Sequence, residues 1–213
     1  MEEHTSVFVP SSEIELEAEY FLPDSNKLPQ IAVILCHPHP VMGGTMANSV
    51  VSAMFGEFVT RDIPVIRFNF RGAGRSGGEY DNGIGEVEDV AAVIAEFAKI
   101  SGSGQMFVAG YSFGAAMGGA AAAETAEVVG YAAIAMPFNM FPHHARRMDC
   151  PKPKLFLIGT QDDFTPLAVF YEKIKLLSDP VETSEIEGAD HFFSIGSREV
   201  AKKTADFCIA QFY

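Results

Sequence analysis

Three residues in the second half of the chain have the side-chain types that together activate a hydroxyl group: Ser112, Asp162 and His191. A serine hydroxyl is a weak nucleophile near neutral pH, and it needs an imidazole to take its proton as it attacks a carbonyl. A carboxylate bonded to the second ring nitrogen holds the required tautomer and stabilises the imidazolium that forms. The order serine, acid, histidine is one of those in which such groups occur. We therefore predict a nucleophile, an orienting acid and a base at these positions.

Ser112 lies at the centre of a Gly-Tyr-Ser-Phe-Gly sequence, residues 110–114. An apolar run, residues 106–109, precedes it, and a run of very small residues, 115–123, follows. A strand that turns sharply into a helix has room only for glycine on both sides of the turn, which lifts the central hydroxyl clear of the backbone. A serine at such a junction can also be a helix N-cap. The acid and the histidine downstream favour the nucleophile.

Asp162 and His191 each follow a predicted strand. Thr165 and Pro166 are typical of a helix N-cap and a first helical residue, so the loop that carries Asp162 is short. Asp163 is the immediate competitor, but Asp162 has the usual position in a Gly-x-x-Asp loop. Asp190 could instead pair with the histidine beside it, although an adjacent residue rarely folds back onto its neighbour's ring.

The negative oxygen that develops on an attacked carbonyl needs two backbone N–H donors aimed at one point. One should come from Phe113, the residue after the nucleophile. The second should come from the loop after the strand predicted at residues 31–36. The two prolines of that loop have no N–H to donate, which leaves the amide of His39, with Val41 or Met42 as alternatives.

Apolar strands alternate with amphipathic helices along most of the chain, after an antiparallel opening. This pattern predicts an α/β fold with an eight-stranded, mostly parallel sheet and helices on both faces. Ligands bind such sheets at the carboxyl ends of the strands, where all the candidate residues fall. The predicted strands are residues 6–9, 14–21, 31–36, 65–70, 105–109, 128–135, 154–158 and 181–186.

Length and composition favour one compact domain of residues 1–213. The chain is 48% hydrophobic and 20% charged, and it has no linker-like segment. Residues 136–150 are too few for a separate cap domain, and the apolar side chains at 136–141 either line an acyl pocket or pack beneath a loop. The net charge of −13 argues against nucleic acid and anionic membranes as partners. It leaves homodimer formation open.

Three widely spaced cysteines, Cys36, Cys150 and Cys208, have neither metal-like nor redox-like spacing and indicate a reducing compartment. The acidic start at Met1 shows no signal peptide, so we expect a cytoplasmic protein. Residues 72–77 match the dinucleotide pattern Gly-x-Gly-x-x-Gly, but they do not open a helix directly as that pattern requires. A tight loop in which Arg71 binds backbone carbonyls is the preferred interpretation, and we predict no cofactor and no metal.

The chain resembles the α/β-hydrolase superfamily over nearly its whole length. Within that superfamily it is similar to the compact, dienelactone-hydrolase-like group of hydrolases. The matching strings are His-Pro-His-Pro at residues 37–40 with Gly-Gly-Thr at 43–45, Arg-Phe-Asn-Phe-Arg-Gly-Ala-Gly-Arg-Ser-Gly at 67–77, and residues 110–114. Dienelactone hydrolase itself has a cysteine nucleophile where this chain has Ser112.

The resemblance implies hydrolysis of small-molecule carboxylic esters, commonly short-chain ones, without metal or organic cofactor. Together with the candidate residues, it predicts a serine carboxylesterase that forms an acyl-enzyme intermediate. Two alternatives stay open. One is a thioesterase or small peptidase that uses the same three residues, and the other is a non-catalytic binding protein on a hydrolase scaffold.

Overall fold

The computed structural model describes residues 4–24 and 30–213. The strands of this part are β1 (Thr5–Ser11), β2 (Ile14–Phe21), β3 (Ala32–Cys36), β4 (Val65–Phe68), β5 (Met106–Tyr111), β6 (Val128–Ile134), β7 (Lys154–Gly159) and β8 (Val181–Ile186). The helices are α1 (Ser49–Thr60), α2 (Ile84–Ser101), α3 (Phe113–Glu124), α4 (Pro142–Arg147), α5 (Leu167–Ile174) and α6 (Ser197–Phe212), with a 3₁₀ turn at Pro40–Met42.

All these strands form one sheet in the order β1-β2-β4-β3-β5-β6-β7-β8. β2 pairs antiparallel with β1 and with β4, and the remaining neighbours pair in parallel. The predicted fold class is therefore confirmed. Because β3, β5, β7 and β8 run in the same direction, the loops that follow them lie along one edge of the sheet, and these are the loops with the candidate residues.

Two separate hydrophobic cores cover the two faces of the sheet. On one face, apolar residues of α2, α3 and α5 pack against the sheet, with Phe97, Phe113 and Phe170 fully buried. On the other face, α1 and α6 pack together, with Phe58 and Cys208 fully buried. Burial of one phenylalanine side chain contributes roughly 1.5 to 3 kcal/mol, so these cores hold the sheet that positions the loops.

The predicted strand at residues 65–70 is too long, because β4 ends at Phe68. The backbone N–H of Phe70 donates to Nε2 of His37 at 2.9 Å instead of to a neighbouring strand. β5 is longer than predicted and continues to Tyr111, directly before the candidate nucleophile. The bond from Phe70 thus ties the end of β4 to the loop after β3, and β5 leads directly into the turn at Ser112.

The segment between β6 and β7 contains the short helix α4. Pro142 occupies the first turn of α4, where its missing N–H costs nothing, and Arg147 pairs with Glu124 of α3 at 2.8 Å. The segment forms no separate cap domain, as predicted.

Within the described ranges, no helix has both the length and the apolar character needed to cross a membrane. The first three residues, on which the expectation of no signal peptide depends, lie outside those ranges.

Candidate active site

Ser112 occupies a sharp turn between β5 and α3. Its backbone has φ 54° and ψ −114°, a combination that a residue with a side chain rarely adopts and that often marks a functional position. A Cβ atom on Gly110 would overlap the carbonyl of Gly114, and one on Gly114 would overlap the carbonyl of Cys36. The flanking glycines are thus required by close backbone packing, and the turn presents the Ser112 hydroxyl at the edge of the sheet.

His191 and Asp162 converge on this serine. Ser112 Oγ lies 3.0 Å from Nε2 of His191, and Nδ1 of His191 lies 2.8 Å from Oδ2 of Asp162. A carboxylate only accepts hydrogen bonds, so the histidine proton is on Nδ1, and the lone pair of Nε2 faces the serine hydroxyl. The structure therefore brings all three predicted side chains into one hydrogen-bonded series.

The carboxylate of Asp162 is buried and bound on both of its oxygens. Its Oδ1 accepts hydrogen bonds from the backbone N–H groups of Phe164, at 2.8 Å, and Thr165, at 2.9 Å. Sequence reasoning missed these two donors, although the short loop after Asp162 is the feature that could have indicated them. Two amides and the imidazole together hold the carboxylate in a single orientation.

The predicted helix start after this loop is wrong by one residue. Pro166 is the N-cap, and α5 begins at Leu167. Thr165 does not cap the helix, because its hydroxyl donates to the carbonyl of Met136 at 3.0 Å. This bond ties the acid loop to the segment after β6.

The two competing acids are engaged elsewhere or stand apart. Asp163 is exposed, and within the described residues it makes no hydrogen bond through its side chain. Asp190 accepts from the backbone N–H and the hydroxyl of Ser194, at 2.9 and 2.8 Å. Neither is the partner of His191.

Two aromatic residues hold His191 in place. The ring of Phe164 stacks on the imidazole, with ring centroids 4.3 Å apart and an interplanar angle of 26°. The hydroxyl of Tyr111, the last residue of β5, donates to the carbonyl of His191 at 2.9 Å. Burial, with the nearby Asp162 carboxylate, raises the pKa of Tyr111, so this hydroxyl keeps its proton.

The candidate oxyanion donors are free. The amides of Phe113 and His39 make no hydrogen bond within the part of the chain that the structure describes. The Met42 amide, by contrast, donates to the carbonyl of His39 at 3.1 Å. Val41 is 69% exposed and is not among the residues that line the pocket at Ser112. Of the alternatives for the second donor, the contacts therefore favour His39.

His37 fixes the peptide group that carries the His39 amide. Its Nδ1 donates to the carbonyl of Pro38 at 2.6 Å, and its Nε2 accepts from Phe70. Pro38 C=O and His39 N–H belong to the same trans peptide and point in opposite directions, so this bond turns the N–H away from His37. Burial lowers the pKa of His37 to about 4, and the ring is neutral near pH 7.

A pocket of about 170 Å³ opens at Ser112. Its walls are mostly apolar and aromatic, and among the described residues that line it none is Asp, Glu, Lys or Arg. Residues 136–141 divide between the two roles considered for them, since Met136 and Phe138 are buried in the core while Met140 and Phe141 line the pocket. The main lining side chains are Met42, Tyr111, Phe113, Met140, Phe141, Phe164 and Phe192.

Arg71 differs from its predicted role. It binds the carboxylate of Asp89 with Nε at 3.0 Å and Nη2 at 2.8 Å, rather than backbone carbonyls, and so ties the glycine-rich loop to α2. In residues 4–24 and 30–213, no group of three or more His, Cys, Asp or Glu side chains is arranged to hold a metal ion.

The sheet, the strained serine turn and the serine–histidine–aspartate series define a serine hydrolase of the α/β type. A family model described as an alpha/beta hydrolase domain matches residues 29–211, and the chain belongs to that family. It is 31% identical over 211 residues to an uncharacterized protein of Rickettsia prowazekii, covering 95% of this chain and 88% of the relative.

Two solved structures are similar over almost the whole chain. An α/β serine hydrolase homologue of Coxiella burnetii is 31% identical with a TM-score of 0.84, covering 95% of this chain and 96% of that one. An α/β serine hydrolase without a lid, from Xanthomonas campestris, is 25% identical with a TM-score of 0.87, covering 99% and 95%. The match to a protein without a lid agrees with the short segment between β6 and β7.

Proposed function

We propose that this protein is a serine carboxylesterase that cleaves short-chain acyl esters through an acyl-enzyme intermediate. The observation that carries the proposal is the hydrogen-bonded series from Ser112 Oγ through His191 to Asp162, with separations of 3.0 and 2.8 Å. In this arrangement the proton can leave the hydroxyl as the hydroxyl attacks, and the imidazolium forms beside a fixed carboxylate.

The first half of the reaction transfers the acyl group to the enzyme. Ser112 Oγ attacks the ester carbonyl while His191 Nε2 takes the hydroxyl proton, and the negative oxygen accepts hydrogen bonds from the amides of Phe113 and His39. When the tetrahedral intermediate collapses, the bond to the alcohol oxygen breaks and His191 returns the proton to that oxygen. The acyl group stays on Ser112 as an ester.

The second half releases the acid. Water attacks the acyl carbonyl, and its proton goes to Nε2 of His191. The carbonyl–Oγ bond then breaks, and the serine recovers its proton from the imidazolium. Every proton transfer in these two half-reactions goes through Nε2 of His191, and neither half-reaction needs a redox or metal-dependent step.

The size of the pocket supports short acyl groups. It measures about 170 Å³, and no cap domain extends it. Because its described lining has no Lys or Arg side chain, it offers no cation to the phosphates of a nucleotide-linked thioester. The absence of acidic ones leaves the free amino group of a peptide substrate without a partner. These features favour neutral esters over nucleotide-linked thioesters and peptides.

The central test is Ser112→Ala with 4-nitrophenyl butyrate. We expect kcat/KM to fall by at least about a thousandfold, since the covalent route is removed, with unchanged far-ultraviolet circular dichroism. Ser194→Ala is the matched control, because that hydroxyl binds Asp190 and not His191. A folded Ser112→Ala variant with near-normal activity would exclude the proposed nucleophile.

Two further measurements address the alternatives. A fluorophosphonate probe should label the wild type at Ser112 and leave Ser112→Ala unlabelled, whereas a non-catalytic binding protein should not react. A panel of ester, thioester and aminoacyl amide substrates with one common acyl group should show the highest kcat/KM for the ester. A higher value for the thioester or the amide would reassign the substrate class.

A further inference from the structure

The side chain of His39 has an unusual hydrogen-bonding state. Within residues 4–24 and 30–213, its Nδ1 is the single buried side-chain nitrogen or oxygen atom without a partner. The ring lies against three aromatic rings, those of Phe113 at 4.8 Å, Tyr80 at 4.9 Å and Phe141 at 6.3 Å. An unpartnered buried polar atom is costly, and such atoms in a native structure call for an explanation.

The two ring nitrogens of His39 lie in different environments. Burial lowers the pKa of His39 below its usual value, so the ring is neutral near pH 7 and carries one N–H. Nδ1 is buried without a partner, whereas Nε2 is not among such atoms. His39 is one of the residues that line the pocket, so Nε2 can donate to a bound molecule in the tautomer that carries the ring hydrogen there.

Asn48 supplies a second donor to the same pocket. Its Oδ1 accepts the backbone N–H of Val50 at 3.0 Å and caps the start of α1. This bond assigns the other terminal atom as the NH₂ group, which makes no hydrogen bond inside the described ranges. Asn48 lines the pocket together with His39 and Ser112.

We propose that His39 Nε2 and Asn48 Nδ2 form a donor subsite that selects esters with an additional oxygen acceptor near the scissile carbonyl. Alkoxy-, hydroxy- and keto-substituted esters belong to this class. Apart from Ser112, His191 and the candidate oxyanion amides, the other described lining side chains are apolar or, like Tyr111, already hydrogen-bonded, so these two side-chain donors can distinguish such an oxygen from a methylene group. When a substrate covers these donors, an ester with an oxygen there pairs with them, whereas its methylene analogue removes their water without replacing the hydrogen bond. The inference rests on the proposed esterase function.

The test compares esters that differ only by oxygen in place of a methylene group. 4-Nitrophenyl methoxyacetate against 4-nitrophenyl butyrate places the acceptor in the acyl group. 2-Methoxyethyl acetate against butyl acetate places it in the alcohol. For each pair, the ratio of kcat/KM values is measured in wild type and variants. The greater intrinsic reactivity of the methoxy esters is the same for every variant and cancels between them.

His39→Phe keeps the backbone amide and an aromatic ring but removes both ring nitrogens, and Asn48→Ser keeps an N-cap but removes the NH₂ group. In each variant the methoxy-to-methylene ratio should fall about fivefold for one of the two pairs, the effect of one hydrogen bond. His39→Gln restores an N–H donor and should recover most of the ratio. Tyr80→Phe, a change beside the His39 ring that adds or removes no pocket donor, should leave the ratio at the wild-type value.

Ratios that stay unchanged in His39→Phe and Asn48→Ser, while both esters are still cleaved, would overturn the subsite and leave the esterase proposal intact. If His39→Phe does not fold, the comparison of His39→Gln with Asn48→Ser decides the same question. Cleavage of neither ester by the wild type would instead contradict the proposed function itself.

Discussion

The two sides of the active site differ in how their polar atoms are satisfied. On the acid–base side, both oxygens of Asp162 and both ring nitrogens of His191 have partners between 2.8 and 3.0 Å. On the substrate side, the amides of Phe113 and His39 have none within the described chain. In the proposed reaction, the acid–base side is thus complete before substrate arrives, and the substrate side keeps its donors free for a charge that exists only during the reaction.

This difference follows from what each side must do. In the proposed mechanism, the carboxylate of Asp162 holds His191 in one tautomer, and two backbone amides of its loop fix that carboxylate. The proposed oxyanion donors must be oriented while their N–H groups stay free of other hydrogen bonds. His37 orients the His39 amide in this way, because it binds the carbonyl of Pro38 at the opposite end of the same peptide group. Variants on the two sides should therefore fail in different ways.

The largest effect should come from the acid–base side. Asp162→Asn keeps the shape but replaces the acceptor Oδ2, which favours the wrong tautomer of His191, and we expect kcat to fall about 10⁴-fold. Asp163→Asn is the matched control, because that exposed neighbour is not bonded to the histidine, and it should retain near-wild-type kcat. Comparable losses in the two variants, measured by steady-state ester hydrolysis, would contradict the assignment of the acid.

The next largest effect should come from the free donors. His39 has φ −52°, which proline can adopt, so His39→Pro removes the backbone N–H with little change of chain path. We expect kcat to fall about 10²- to 10³-fold, the usual loss for one oxyanion donor.

His39→Ala is the reference for this change, since it loses the same imidazole but keeps the amide. If the two variants have equal kcat values, the second donor is another amide, and Val41 or Met42 would replace His39 in that role.

Those parts of the site that depend on residues close together in the sequence could be predicted from local patterns. Glycines on both sides of Ser112 indicated the sharp turn, and apolar runs indicated strands that end just before Asp162 and His191. The order of the strands brings these loops to one edge. The fold class and the convergence of the three side chains follow from that information.

Contacts between distant segments were not predictable in the same way. The bond from Phe70 to His37 shortens β4, yet no periodicity in either segment indicates it. The pairing of Arg71 with Asp89 likewise depends on how α2 packs, and the pairing of Arg147 with Glu124 depends on how α4 packs against α3. Such details arise only when the tertiary structure is complete.

A third prediction concerns pH, because the substrate side depends on His37, a buried neutral histidine. Burial lowers the pKa of His37 from its ordinary value of 6.5 to about 4, so between these values the unfolded chain binds a proton that the native state does not. The contribution to stability is complete above about pH 6.5 and is lost as the pH falls toward 4. The loss amounts to about 3 kcal/mol in the free energy of unfolding.

Urea unfolding of wild type and His37→Gln at pH 7 and pH 4.5 measures this contribution. Other groups titrate equally in both proteins, so the wild type should lose more stability than the variant on acidification. Equal losses would show that His37 is not the titrating group.

The smallest expected effect concerns the ring of Phe164, which stacks on the imidazole of His191 on the acid–base side. Phe164 → Leu removes the ring that stacks 4.3 Å from the imidazole of His191 but keeps the backbone N–H that binds Asp162. An aromatic pair contributes about 0.5 to 1.5 kcal/mol, so kcat should fall roughly three- to tenfold. Phe164→Tyr keeps the ring and should retain kcat. Phe164 is 38% exposed and also lines the pocket. A change in KM without a change in kcat would therefore show that its ring contacts the substrate and does not support His191.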